Sequence, residues 1–368
     1  MTGPRPTPLV ASLPASVPFV GPEAQERAMG RPFRARIGAN ESVFGPSPKA
    51  VAAIGAAATE VWKYGDPETH ELRAALATHH GIAPDNIVVG EGIDGLLGYL
   101  VRMLVAEGDP VVTSLGAYPT FAFHVAGFGG ALHTVPYRGE AEDPDALLTK
   151  ARETQAKLIY LANPDNPMGS WHPAQVIAET IGHVPPGTLL ILDEAYIDLA
   201  PDGTAPPIDT GNPCVIRMRT FSKGYGMAGL RVGYAIGHTD LIRAFDKVRN
   251  HFGVGRIAQV GALAALADQS YLAEVRAKVA ASRDRIARIA DQNGLRALPS
   301  ATNFVAVNCG RDGAFAKAVL DGLVARGVFV RMPFVAPQNR CIRISCGTEA
   351  DLDLLAETLP AALADASR

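Results

Sequence analysis

Six short β-branched runs punctuate the first two thirds of this chain: Asn86 to Val89, Pro110 to Thr113, Lys157 to Leu161, Thr188 to Leu192, Cys214 to Arg219 and Val232 to Ile236. They alternate with helical patterns, and most are apolar without a polar face. Runs of that length need burial on both sides, which a largely parallel sheet covered by helices on each face provides. The expectation is an α/β/α architecture. From Ile257 the pattern changes: helix through about Gln292, then Asn303 to Val307, a helix from Gly313 to Arg326, Val328 to Met332, Cys341 to Ser345, and a last helix starting near Thr348. That order suggests a smaller C-terminal α+β domain. Thr348 followed by Asp351 resembles an N-capping pair, although the reciprocal bond of a capping box calls for Glu or Gln.

Length and composition set the outer limits. A chain of 368 residues with 48% hydrophobic side chains has material for two or three packed domains and is not disordered throughout. Lys plus Arg number 34 and Asp plus Glu 37, which gives neither a basic nucleic-acid surface nor an acidic tail and points to small-molecule partners. Cys214, Cys309, Cys341 and Cys346 show no metal-ligand spacing and read as reduced cysteines of a cytoplasmic protein. The apolar stretch Leu9 to Val20 is broken by Pro14 and Pro18, so a secretory leader is not expected. Pro110 to Tyr137 lacks Asp, Glu, Lys and Arg, yet Pro119 and glycines at 116, 127, 129 and 130 mark it as buried strand, turn and helix rather than membrane. Pro4, Pro6, Pro8, Pro14 and Pro18 suggest an extended arm. The expected division is an arm over 1–36, a large domain over 37–256 and a small domain over 257–368.

Gly90, Gly92 and Gly95 in GEGIDG match a dinucleotide fingerprint between a strand and a helix. The next strand, however, leads into Ser114-Leu115-Gly116 and carries no acid to hold a ribose, which argues against an NAD-dependent oxidoreductase. What remains is anion binding by backbone N–H groups at a helix N-terminus.

Three more segments fall at carboxyl ends of expected parallel strands, where open α/β sheets bind ligands. Asn163-Pro164-Asp165-Asn166-Pro167, Asp193 and Thr220-Phe221-Ser222-Lys223-Gly224 each have an ordinary reading as turn, cap or surface charge. Together with Arg231 they supply a phosphate cradle, a carboxylate, and a hydroxyl beside a lysine. A pyridoxal phosphate site needs that set: lysine for the Schiff base, carboxylate for the pyridine nitrogen, basic and hydroxyl groups for the phosphate.

The order of these pieces resembles the class I/II aminotransferases of fold type I, and within them the histidinol-phosphate aminotransferase-like members. The carriers are ANES with FGPSP, KYGDPE, GEGIDG, NPDNP, LDEAY, RTFSKGYGMAGLRVGY and IRISCGT, spread from about Ala39 to Gly347. The resemblance implies that Lys223 attaches the cofactor and moves a proton between the substrate Cα and the cofactor, and that Asp193 faces the pyridine nitrogen. It implies that Tyr196 and Asn166 reach the ring's phenolic oxygen and that Tyr118 stacks on the ring. Backbone N–H groups of Gly92, Ile93 and Asp94, with Ser222 and Arg231, would hold the phosphate, and Tyr64 would reach the phosphate of a neighbouring subunit, so that a homodimer shares its sites. Arg343 matches the arginine that grips a carboxylate, and Arg331 the arginine near the substrate's distal end.

The implied activity is transfer of an amino group from histidinol phosphate to 2-oxoglutarate in amino-acid biosynthesis, with an aromatic amino-acid aminotransferase or a decarboxylase of a phosphorylated amino acid as alternatives. Three places depart from the family's pattern. Asn166-Pro167-Met168-Gly169 stands for its NPTG, Gly92-Ile93-Asp94-Gly95 for its GSDE-like turn, and Asn250 to Arg256 lacks its Pro-Tyr-Asn. In that last loop His251, Phe252 and Arg256 would suit an aromatic or acidic donor.

Overall fold

The computed structural model describes residues 3–15 and 19–368. Among these residues twelve strands follow one another: β1 Ala35–Arg36, β2 Ile87–Gly90, β3 Pro110–Ser114, β4 Ala131–Val135, β5 Leu158–Ala162, β6 Leu189–Asp193, β7 Val215–Thr220, β8 Gly233–Gly237, β9 Arg296–Ala297, β10 Phe304–Asn308, β11 Val328–Phe329 and β12 Cys341–Ser345. Seven of them form one sheet in the order β2-β8-β7-β6-β5-β3-β4, parallel except for β8, which runs against both of its neighbours. The expected α/β architecture is present.

The doubly buried runs explain this sheet residue by residue. Leu158, Tyr160, Leu189 and Ile191 pack on one face with Leu97, Val101 and Phe121. Ile159, Leu161, Leu190 and Leu192 pack on the other with Leu147, Leu148 and Ile177. Alternate residues of one strand thus enter two different cores, and each fully buried Leu or Ile side chain stabilises the fold by about 1.5–3 kcal/mol.

Sheet order also removes the dinucleotide reading. A nucleotide-binding βαβ unit places its first two strands in one parallel set beside each other. Here β2 lies at an edge next to antiparallel β8, and β8, β7, β6 and β5 separate it from β3.

Four sequence expectations need correction. The arm is not extended: helices span Pro8–Ser12 and Pro22–Met29, each with proline in its first turn, where the missing N–H costs nothing. Thr7 Oγ1 caps the first of them, and Pro18 lies outside the described residues. Packing begins before Arg36, since Glu26 accepts from the Phe33 N–H at 2.9 Å and the Phe33 ring packs against Phe329 with centroids 5.2 Å apart. The charge-free segment holds a second strand, β4, whose alternating exposure is that of an edge strand. Asp351 does complete a capping box on the helix Glu349–Ala366, with its carboxylate accepting from the Thr348 N–H at 2.8 Å.

β12, β10 and β9 form an antiparallel sheet, and β1 pairs with β11 in parallel. Their core joins Val305, Ile342 and Ile344 to Ile286, Val319 and Leu355, and it also takes in Ala35 and Ile37 from the N-terminal part of the chain. Among the described residues no helix is long and apolar enough to cross a membrane.

Candidate active site

A cavity of about 740 Å³ opens at the carboxyl ends of β3, β5, β6 and β7 and is closed on one side by residues of the C-terminal part. Ile93, Asp94, Tyr118, Asn166, Asp193, Tyr196, Ser222, Lys223, Arg231, Arg331 and Arg343 all line it. The strand ends bring these residues together, because parallel strands deliver successive loops to one edge.

Asp193 ends β6 and is buried. Its Oδ2 accepts from the Tyr160 hydroxyl at 2.7 Å and its Oδ1 from the Ala195 N–H at 2.9 Å. Burial pushes its pKa up to about 6, against the pull of these donors and of Lys223. It has no salt bridge among the described residues, which is the setting in which a buried carboxylate gains most from an incoming cation. The neighbouring Glu194 points the other way and is held by Arg217 at 2.6 Å and Arg219 at 2.8 Å. Burial raises its pKa, but the two guanidinium groups outweigh that and lower it.

Lys223 follows β7, and its Nζ donates to the Asn40 carbonyl at 2.9 Å. Burial lowers the pKa of its amine to about 8, helped by Arg343 and Arg231 and opposed by Glu41 and Asp193. About a tenth of the amine is then neutral at pH 7, far more than for an ordinary lysine, and the neutral form is what acts as nucleophile or base.

The helix Gly92–Leu104 starts at the cavity with no side-chain cap, so its first N–H groups are free to meet an anion. Gly92 has φ +75°, and a Cβ there would collide with the Arg231 guanidinium. Arg231 donates to Ala228 O at 3.1 Å, to Glu91 O at 3.3 Å and, at 3.5 Å, to Ser222 Oγ. Ser222 Oγ also accepts from Thr220 Oγ1 at 2.9 Å. Glycine, uncapped helix, hydroxyl and guanidinium form a cradle whose donors suit an anion such as a phosphate.

On the opposite wall Arg331 and Arg343 face each other in backbone pairing, the Arg331 N–H donating to Arg343 O at 3.2 Å and the Arg343 N–H to Arg331 O at 2.6 Å. Arg343 Nη1 donates to Asn166 Oδ1 at 2.5 Å, while its Nε is buried without a partner. Burial brings its pKa down to about 10, so it stays charged near neutrality. Arg331 Nη1 donates to Val20 O at 2.9 Å, and its guanidinium lies over the Phe19 ring at 4.2 Å.

Two expected residues stand outside the cavity lining. Gly92 lies beneath Arg231, and Tyr64 is 76% exposed and packs against Phe252, the ring centroids 4.7 Å apart and the planes tilted by 37°. The loop from Asn250 to Arg256, expected to contact the donor, does not line this cavity either. It packs beside Tyr64 instead, with Arg256 donating to Tyr64 O at 3.0 Å. Three contributors carried no role in the sequence reading. Asn40, at φ +57°, donates to the Tyr196 hydroxyl at 3.1 Å as well as accepting from Lys223. Tyr160 steadies Asp193, and Phe19 covers Arg331. ANES contained the signal for Asn40, since asparagine tolerates the left-handed backbone that this turn requires; a hydroxyl amid the apolar run of β5 signalled Tyr160.

The residues also fit pyridoxal phosphate by their donor set: an uncompensated carboxylate for a ring cation, a buried lysine with a depressed pKa, and a glycine-lined anion cradle.

A profile of the family described as "Aminotransferase class I and II" matches residues 36–359. The histidinol-phosphate aminotransferase of Anaeromyxobacter sp. (strain Fw109-5) is 37% identical over 88% of this chain and 89% of its own length. That of Moorella thermoacetica is 32% identical over 92% of this chain and 88% of its own length. Among solved structures, histidinol-phosphate aminotransferase from Sinorhizobium meliloti in complex with pyridoxal-5'-phosphate is 56% identical with a TM-score of 0.95, covering 99% of this chain and 98% of that one. The chain belongs to the class I and II aminotransferase family. It is a pyridoxal phosphate-dependent transaminase of fold type I.

Proposed function

We propose that this enzyme transfers the amino group of histidinol phosphate to 2-oxoglutarate in amino-acid biosynthesis, as a cytoplasmic homodimer. The observation that carries the donor is the charge of the cavity. Arg231, Arg331 and Arg343 all line it, and none has a carboxylate within 4.0 Å among the described residues. One guanidinium serves the cofactor phosphate, which leaves two for anionic substrates. The identity to the Sinorhizobium meliloti enzyme supports the same reading.

Bound in this cavity, pyridoxal phosphate supplies the amino-group carrier and the electron sink. Lys223 would attach it and, once freed, would take and return the proton at the substrate Cα. Asp193, oriented by Tyr160 and the Ala195 N–H, would keep its ring nitrogen protonated. Tyr196, held by Asn40, and Asn166 would donate hydrogen bonds to it, and Tyr118 would supply an aromatic wall. The N–H groups of Gly92, Ile93 and Asp94, with Ser222 and Arg231, would hold the phosphate. Arg343 grips the carboxylate of the acceptor, and Arg331 the distal phosphate of the donor.

The homodimer is supported by Tyr64, which with Val61, Trp62 and Phe252 makes an exposed apolar patch that a second copy would cover while receiving Tyr64 at its phosphate. Four free cysteines, three of them buried, support a reducing compartment. The separate cores under the central and C-terminal sheets support a large and a small domain, but the cores do not meet at 36/37 or 256/257: Ala258, Ala262 and Leu266 pack with Leu72 and Phe221 of the large domain, and Ala35 and Ile37 join the small-domain core. Single-turnover measurement of the donor half-reaction tests the substrate: histidinol phosphate should react with the highest kcat/KM in a panel with phenylalanine, tyrosine and aspartate. Faster turnover of phenylalanine or tyrosine would replace this reading by an aromatic one.

A further inference from the structure

Among the described residues the N-terminal arm enters the active site at one place. Phe19 lines the cavity, its ring lying 4.2 Å from the Arg331 guanidinium carbon, and the carbonyl of the next residue, Val20, accepts from Arg331 Nη1 at 2.9 Å. Phe334 approaches the same guanidinium at 5.8 Å. The chain that carries Phe19 is tied down a few residues later, where the helix Pro22–Met29 leads to the Glu26–Phe33 hydrogen bond and Arg31 donates to Ala325 O at 2.5 Å. Among the described residues no carboxylate pairs with Arg331, so these arm contacts, together with Phe334, fix where its charge sits.

A guanidinium offers hydrogen bonds only along its planar edge, and its faces are weakly hydrated and stack well on aromatic rings. With a face on Phe19 and one edge nitrogen bound to Val20 O, the rest of the edge is left to meet an anion in the cavity. An arginine free to choose among its rotamers would lose that freedom on binding; one already fixed by the arm has lost it beforehand, which strengthens binding without a new contact to the ligand. Phe19 also supplies apolar wall beside the charge, suited to the uncharged part of a donor that ends in an anion.

We propose that Phe19 is a specificity-determining residue: it positions Arg331 and thereby selects amino donors that carry a negative charge at the end remote from the amine. This rests on the reading of Arg331 as the distal anion contact, and the experiment separates the two. Full-length holoenzyme is compared with Phe19→Ala, Phe19→Tyr, Arg331→Ala and the Phe19→Ala/Arg331→Ala double variant on two donor pairs that differ at the distal charge, histidinol phosphate against histidinol and glutamate against norvaline. The readout is the ratio of kcat/KM within each pair, which a general loss of fold or cofactor does not move. Phe19→Ala should lower the ratio of whichever pair the parent discriminates by about fivefold to tenfold. Phe19→Tyr, which keeps the ring face, should hold it within about twofold, and Phe19→Ala should change nothing further once Arg331 is gone. An unchanged ratio in Phe19→Ala, or a fully additive loss in the double variant, overturns the proposal, as does a parent that discriminates neither pair. Discrimination confined to the glutamate pair leaves Phe19 in its role and rejects histidinol phosphate as the donor.

Discussion

The two ends of the cavity are built differently. At the cofactor end, Asn166, Asp193 and the Ser222–Lys223 pair each follow a strand of one sheet, and the strands beneath them are buried on both faces. On the substrate side, Phe19, Arg331 and Arg343 come from three separate segments that meet only in the folded molecule, and one of them is a half-exposed arm residue. Position at the first end is set by the sheet itself. On the substrate side it depends on contacts among neighbours, so changes at the cofactor end should harm all substrates alike and changes on the substrate side should discriminate among them.

Lys223→Ala should give the largest effect and show no donor preference. Proton transfer by a placed side chain contributes about 10²–10⁴-fold, and the cofactor attachment is lost with it. Activity with every donor should fall by at least that factor while circular dichroism is unchanged; substantial turnover in this variant would break the comparison at its strong end. Asp193→Ala should lower kcat by about a hundredfold or more, again for all donors, since the ring loses its charge partner. A near-normal kcat removes Asp193 from its role.

Tyr64→Phe should weaken cofactor binding by about 1.5–3 kcal/mol, the worth of one hydrogen bond to a charged group. Mixed with Lys223→Ala, it should yield heterodimers with one intact site and activity above either parent. Absence of complementation after proven subunit exchange would put Tyr64 outside the partner's site. Arg343→Lys should act at the other end, raising KM for 2-oxoglutarate by about tenfold, because an ammonium cannot make two parallel bonds to a carboxylate. The donor half-reaction with histidinol phosphate, which has no α-carboxylate, should suffer less; equal losses would erase the distinction between the two ends.

The smallest effect is that of pH on cofactor capture. The Lys223 amine is lowered to about 8, so its neutral fraction grows as pH rises through that value. The rate at which apoprotein captures pyridoxal phosphate should rise up to about pH 8 and gain less than about twofold between pH 8 and 9. A steep rise continuing toward pH 10 would mean that burial has not depressed the lysine.

The same contrast governs what could be read from sequence. The cofactor end was legible because each residue sits within a strand-turn motif a few residues long, as in LDEAY and TFSKG, and burial of the strand fixes the turn. Boundaries shifted by about one residue where the first position of a run is used by a turn, as with Asn86, whose side chain donates to Gly237 O at 2.9 Å. Asn40, Tyr160 and Phe19 were not assigned roles because their contacts lie at sequence separations that local pattern does not encode. Lys223 finds Asn40 across 183 positions and Arg331 finds Val20 across 311. The placement of the Asn250 to Arg256 loop is not encoded in its composition either: it lies outside this chain's cavity, with Phe252 packed against Tyr64 at 4.7 Å.

On the proposed function Lys223, just past the end of β7, is the residue that holds the cofactor. Borohydride reduction of the holoenzyme followed by peptide mapping tests it directly. The account predicts a single pyridoxyl-labelled lysine, Lys223, in the peptide containing Thr220-Phe221-Ser222; label on any other lysine, with Lys223 unmodified, would contradict it.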